Sequence, residues 1–327
     1  MLNQDAKLNQ KLLQPDVEQE PLRFGFGRGL VLAGRGDKNV VVLCADLTDS
    51  TKVSDFKKEF PERFIEAGIA EQNMASLAAG LAAVGKVPFI TSYAMFSPGR
   101  NWEQIRTTIC YNDVNVKIAG SHAGVSVGPD GATHQATEDI AITRVIPNMT
   151  VITPCDSIEA EKATLLAARI RGPVYFRLAR EKTPIITTKD SPFEIGKANV
   201  LREGKDVVII ACGPLVYNSL LAAEELSKEG IEVAVINNHT IKPMDETTIA
   251  RFAEQTGAVV TVEEHQISGG MGSAVAEILA RNHPVPMEFV GVHDRFGESG
   301  EPNELIEHFG MGVKDITEAV KKVISRK

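Results

Sequence analysis

Short runs of apolar, largely β-branched residues alternate along this chain with longer stretches whose apolar positions recur every three or four residues. Residues 40–45, 63–67, 87–91, 116–120, 174–178, 207–212, 232–237 and 259–263 read as strands. Residues 74–84, 100–111, 157–171, 215–228 and 272–281 read as helices. The strand runs are continuously apolar rather than alternating, which is the pattern of strands covered on both faces. Strand and helix taking turns predicts an α/β chain with parallel pairing. Residues 181–197 break the pattern with Pro184, Lys189, Asp190, Pro192 and Gly196, and a second strand–helix series opens at Val207. The expected organisation is an N-terminal arm at 1–20, a first domain at 21–190 and a second at 191–327. Each domain is expected to be a three-layer α/β/α unit, a mostly parallel sheet covered by helices.

Composition narrows the function classes. A length of 327 residues suits two domains with cores that need no staples. The net charge of -8 argues against a nucleic-acid surface. No apolar run approaches the roughly 20 residues that span a bilayer. The first residues are polar, with Asn3, Gln4, Asp5 and Lys7, so no signal peptide is expected. Cys44, Cys110, Cys155 and Cys212 show no CxxC spacing, which disfavours a zinc or dithiol site. Cysteines used as small buried hydrophobes fit a reducing compartment, and a cytoplasmic location is expected.

In open parallel sheets, ligands sit beyond the carboxyl ends of strands. Three turns there carry candidate chemistry. Glu71 lies in Gly-Ile-Ala-Glu-Gln-Asn-Met at 68–74, where a strand gives way to a helix rich in alanine. On its own it reads as a carboxylate placed for the helix macrodipole. Tyr93 and Phe96 follow the strand 87–91, and two such aromatics are more often core than pocket. The turn 120–135 holds His122, Asp130 and His134 among glycines. Its ligand spacing is too loose for an evident metal site. Proton transfer suits the two histidines, and a solvated loop remains the plain alternative.

Other signals carry less. Gly25, Gly27 and Gly29 follow no strand, so they are not a dinucleotide fingerprint. The turn 268–273, Ser-Gly-Gly-Met-Gly-Ser, fits either a phosphate or a close-packed helix start. Glu263, Glu264 and His265 at the end of a strand read as structural. Arg23 and Arg180 stand alone in sequence.

Taken in order, the Glu71 turn, the aromatic turn and Gly-Pro-Asp-Gly-Ala-Thr-His-Gln at 128–135 change this picture. From about Pro21 onward the chain resembles the pyrimidine-binding domain of transketolases followed by the transketolase C-terminal domain. The resemblance implies thiamine diphosphate as cofactor, with Glu71 bonded to its pyrimidine nitrogen and Tyr93 and Phe96 holding the ring. It implies that His122, Asp130 and His134 contact the sugar, the histidines as catalytic proton carriers, and that Arg23, Ser50 and Arg180 hold its phosphate. Arginine forks pair well with phosphate oxygens. Gly99 stands where some relatives carry a third aromatic, and Arg23 lies in a loosely matching stretch, Pro-Leu-Arg-Phe.

The family's diphosphate half carries a Gly-Asp-Gly motif and an asparagine pair that hold Mg²⁺. Here Asp130-Gly131 belongs to the sugar loop, and Asn237-Asn238 has no Gly-Asp-Gly before it at the right distance. The expectation is therefore a split enzyme with no metal ligands of its own. A separate N-terminal subunit supplies the diphosphate domain, and two chains of each kind form a heterotetramer. The expected reaction moves a two-carbon ketol unit from a ketose phosphate to an aldose phosphate. Two relatives compete for this reading. 1-Deoxyxylulose-5-phosphate synthase typically carries Asp-Arg where Ser121-His122 stand here. The beta subunit of 2-oxoacid dehydrogenases matches the split build but departs more in the sugar loop. A binding or regulatory subunit without chemistry is the third possibility, against which Glu71, His122 and His134 count together.

Overall fold

The computed structural model describes residues 1–327. Two sheets organise it, each parallel except for one antiparallel edge strand. The first has seven strands in the order Thr240–Lys242, Thr150–Ile152, Val174–Arg177, Lys117–Ser121, Val87–Tyr93, Val40–Cys44 and Phe64–Glu66. The second has five, in the order Met287–Val292, Val259–Gln266, Val207–Ala211, Val233–Asn237 and Asn199–Arg202.

The continuous apolar runs are explained by what covers them. Every residue of Val40–Cys44 is buried. Val41 and Leu43 pack with Met74, Ala75 and Ala78 of the helix Glu71–Ala83. Val40, Val42 and Cys44 face the other way, toward Phe26 and Leu30 of the helix Leu22–Gly36 and Ala160 and Ala163 of the helix Ser157–Arg169. Strand alternation thus feeds two helical layers. The glycine string lies inside Leu22–Gly36. A Cβ on Gly25 would overlap the carbonyl oxygen of Ser157, so these glycines serve close helix packing.

All eight expected strands are present, within one to three residues of their expected ends. Six further strands have no counterpart in the apolar pattern. Gln19–Pro21, Lys182–Pro184, Thr150–Ile152 and Thr240–Lys242 have three residues each, too few to show a period. Thr240–Lys242 follows three strands of the second sheet, yet it pairs with Thr150–Ile152 at the edge of the first. The expected helix at 100–111 is an α-helical start, Trp102–Gln104, continued as a π-helix, Ile105–Cys110.

The arm is well anchored. Asn3 N–H donates to Leu201 O at 2.9 Å, Asn9 N–H donates to Ile186 O at 2.9 Å, and Leu12 is buried in the second core. Gln19–Pro21 then pairs antiparallel with Lys182–Pro184. All four cysteines are free and buried.

Candidate active site

Glu71 opens the helix Glu71–Ala83 and is 1% exposed. A carboxylate placed only for the macrodipole works at the surface, so this burial calls for another cause. Arg100 Nη1 donates to Glu71 Oε2 at 2.7 Å, and Asn101 Nδ2 donates to the Glu71 carbonyl at 3.1 Å. The other carboxylate oxygen, Oε1, accepts no hydrogen bond within the chain. The Arg100 guanidinium lies over the Phe96 ring, 4.7 Å from its centroid.

From Phe96 a wall of rings leads away from Glu71. Phe96 stacks with Tyr93 at 6.1 Å, and Tyr93 stacks with His122 at 3.9 Å. His134 meets Phe96 edge-on at 5.4 Å. The wall ends in a cavity of about 440 Å³ lined by Arg23, Ser50, Tyr93, His122, Asp130 and Arg180, joined by Asp49 and Lys52. The elements explain the convergence. Tyr93 ends one parallel strand, His122 follows the next, and both therefore reach the same edge of the sheet.

His122 has the left-handed backbone φ of 57°, uncommon outside glycine, and is nearly sealed from water. Arg23 Nη1 lies 3.1 Å from His122 Nε2, and Ser121 Oγ lies 2.9 Å from Nδ1. A guanidinium only donates, so Nε2 accepts and the proton resides on Nδ1. Burial, reinforced by Arg23, Arg180 and His134, pushes the imidazole pKa down to about 3. His122 is therefore neutral at physiological pH. His134 Nδ1 lies 2.9 Å from Thr133 Oγ1. Arg23 also donates to Ser50 O at 3.3 Å, while Arg180 donates to Val127 O.

The second domain shapes this loop from behind. Glu264 Oε1 accepts Ser126 N–H at 2.6 Å, and a Cβ on Gly124, whose φ is +89°, would collide with that carboxylate. Gln135 Nε2 donates to Val125 O at 2.9 Å and to Glu298 O at 2.8 Å. Arg177 Nη2 donates to Glu264 O at 2.6 Å, and Arg177 Nε pairs with the buried Asp139 at 3.0 Å. The structural reading of Glu264 and of Glu263 follows from these contacts. Glu263 accepts the N–H groups of Met271 and Gly272, both at 2.7 Å. Its carboxylate fills the helix start at 268–273, which leaves that turn no room for a phosphate.

All nine residues singled out from the sequence converge on one connected region. Six line the cavity; Phe96 and His134 form its ring wall, and Glu71 joins through Arg100. The pattern missed Arg100, Asp49 and Lys52. Arg100 had a signal, a cation opening a helix straight after the aromatic turn. A larger groove of about 580 Å³ lies beside the helix Leu22–Gly36, but its charged side chains are largely paired already, Arg35 with Glu59 and Arg28 with Glu161.

The fold and site define a class: a two-domain α/β/α chain with an arginine- and lysine-lined cavity and a buried carboxylate at one sheet edge. Family models for the transketolase pyrimidine-binding domain and the transketolase C-terminal domain match residues 21–185 and 196–316. The chain is 44% identical to a putative transketolase C-terminal section of Methanocaldococcus jannaschii, over 93% of this chain and 96% of that one. It is 43% identical to the 6-deoxy-6-sulfo-D-fructose transketolase subunit SqwH of a Clostridium species, over 95% and 97% of the two chains. A solved split-gene transketolase, described as an inactive beta4 tetramer, superposes with a TM-score of 0.88 at 47% identity, covering 93% of this chain and 98% of that one. The chain belongs to the transketolase family and is built as its C-terminal section. Its two domains are those that split members carry on a separate subunit.

Proposed function

We propose that this chain is the C-terminal subunit of a thiamine-diphosphate-dependent transketolase, which moves a two-carbon ketol unit from a ketose phosphate to an aldose phosphate. The observation that carries the reading is the unbroken line from Glu71 to Arg23. A buried carboxylate with one unbonded oxygen stands at one end, a cationic cavity at the other, and an aromatic wall between them.

The residues fit an aminopyrimidine. Glu71 Oε1 is left to share a proton with a ring nitrogen, and Tyr93 and Phe96 offer flat faces beside it. Bound there, thiamine diphosphate would supply the nucleophilic carbon and the electron sink that the ketol transfer needs. The chain does the rest. Arg23, Ser50 and Arg180 hold the terminal phosphate of the sugar. Asp130 accepts from a sugar hydroxyl. His122, neutral and with its Nε2 accepting from Arg23 until a sugar hydroxyl takes that donor's place, and His134 bind sugar oxygens and carry protons between them and the reacting unit.

A partner completes the site in this reading: an N-terminal subunit bears the diphosphate-binding domain and the Mg²⁺ ligands, two chains of each kind forming a heterotetramer. Support comes from the split-gene relative, whose beta-only tetramer is described as inactive. It also comes from Ile69, Val84 and Tyr111, which are 74%, 77% and 85% exposed near the Glu71 helix. Large apolar side chains left open on and beside that helix fit burial in an assembly.

Glu71→Ala tests the reading. In the assembled enzyme it should lower kcat at least about 100-fold, the size expected of a proton-handling group, and weaken thiamine diphosphate binding measured by calorimetry. Full activity in a correctly assembled Glu71→Ala enzyme would refute the role.

A further inference from the structure

The cations of the cavity are not equally engaged. This inference rests on the reading above, in which the cavity takes the anionic end of a sugar. Arg180 has a carboxylate neighbour, Glu181, at 3.5 Å. Arg23 forms no ion pair, and its Nε is buried without a hydrogen-bond partner. The Lys52 side chain makes neither an ion pair nor a hydrogen bond, and its ammonium rests 4.7 Å from the centroid of the Phe24 ring. The loop that carries Lys52 is fixed. Its φ is +61°, and a Cβ on Gly27 would overlap the Lys52 carbonyl, so the loop is pressed against the first helix.

We propose that Lys52 is a specificity-determining residue, which swings onto the terminal phosphate and makes the site prefer a dianionic end group to a monoanionic or uncharged one. Charge carries the argument. Asp130 is assigned to a sugar hydroxyl, which leaves Asp49 as the carboxylate at the anionic end. Among the side chains that line the cavity, Arg23, Lys52 and Arg180 then hold a surplus of two positive charges over Asp49, while the partly exposed Glu181 lies outside the lining and offsets Arg180 only through solvent. That surplus matches a phosphate monoester, which carries close to two charges at neutral pH. Without Lys52 the surplus is one, which matches a sulfonate of the same tetrahedral shape. The flexible lysine stem and compact ammonium suit a cation that leaves an aromatic face for a stronger anion. Backbone strain beside a cavity is also more common at binding sites than elsewhere.

The test compares the two-chain enzyme with its Lys52→Met and Lys52→Arg variants. Donors are xylulose 5-phosphate and the uncharged ketose erythrulose. Methylphosphonate and methanesulfonate serve as dianionic and monoanionic probes, with binding measured by calorimetry at about pH 9, where the phosphonate is fully dianionic and a lysine is still charged. Lys52→Met should raise KM for xylulose 5-phosphate about 10-fold at nearly constant kcat, as loss of one charged contact predicts. It should leave kcat/KM for erythrulose within about twofold and erase the preference for methylphosphonate, while Lys52→Arg should restore most of both. An unchanged KM, or an equal loss with both donors, would overturn the proposal. Calorimetry needs no turnover. A wild type that binds methylphosphonate through Lys52 but transfers no ketol unit would refute the functional reading and leave this one standing.

Discussion

His239 is sealed in the molecule, stacked on Phe193 at 4.1 Å with its Nδ1 on Thr240 Oγ1 at 3.0 Å and its Nε2 unpartnered. Burial pushes its pKa down to about 3, against 6.5 in the open chain. The unfolded chain therefore takes up a proton here well before the folded one does. The stability from this group is complete above pH 6.5 and drains away as pH falls toward 3. Each unit of pH across that window costs about 1.4 kcal/mol per such proton. His239→Gln should flatten the fall of stability between about pH 6 and 4 by that slope, measured by denaturant unfolding at each pH. An unchanged slope would mean the ring is not held neutral. Nothing in the sequence hinted at this residue, because the groups that bury it come from the linker and from two sheets. The candidate site residues could be singled out for the opposite reason. Glu71, Tyr93, Phe96, His122, Asp130 and His134 sit in turns whose local motifs are themselves informative. Lys52 belongs to no such motif, and only its neighbours give it meaning.

At the scale of elements, the sugar loop was readable as a loop but not as a supported one. Its brace comes from the 294–300 segment of the second domain, far away in sequence. Gln135 joins the two, and a Cβ on Gly297 would overlap its side-chain oxygen. Gly297→Ala should displace Gln135 and loosen Asp130 and His134, raising KM for the sugar donor about 10-fold through poorer positioning. The melting temperature should fall by only a few degrees, a surface-loop effect. An unchanged KM would show that the loop keeps its shape without this contact. The strands with five or more buried residues announced themselves through long apolar runs. Apart from Phe64–Glu66 the three-residue strands could not, and neither could the π-turned continuation of the helix that begins at Trp102, since both depend on what they pack against.

At the scale of the molecule, the two domains share structure rather than merely touching. The second lends Thr240–Lys242 to the first sheet, and the arm is anchored to both. The buried Arg177–Asp139 pair stands where they meet, with Arg177 donating across to Glu264. Removing one partner of such a pair typically costs about 3–5 kcal/mol. The pattern placed the second strand–helix series correctly but gave no sign of the lent strand or the anchored arm, since both are made by contacts distant in sequence. In the proposed reading this joint framework presents half of a cofactor site, with exposed Ile69 next to Glu71 and exposed Val84 at the far end of the same helix. The central claim is that the other half lies on a second chain. The most direct measurement is ketol transfer from xylulose 5-phosphate to ribose 5-phosphate, with thiamine diphosphate and Mg²⁺. It is run first with this chain alone, then with an added subunit bearing the diphosphate-binding domain. The account predicts silence from the chain alone and turnover from the pair. Turnover by the chain alone would contradict the split site, and silence from a fully assembled pair would contradict the assigned reaction.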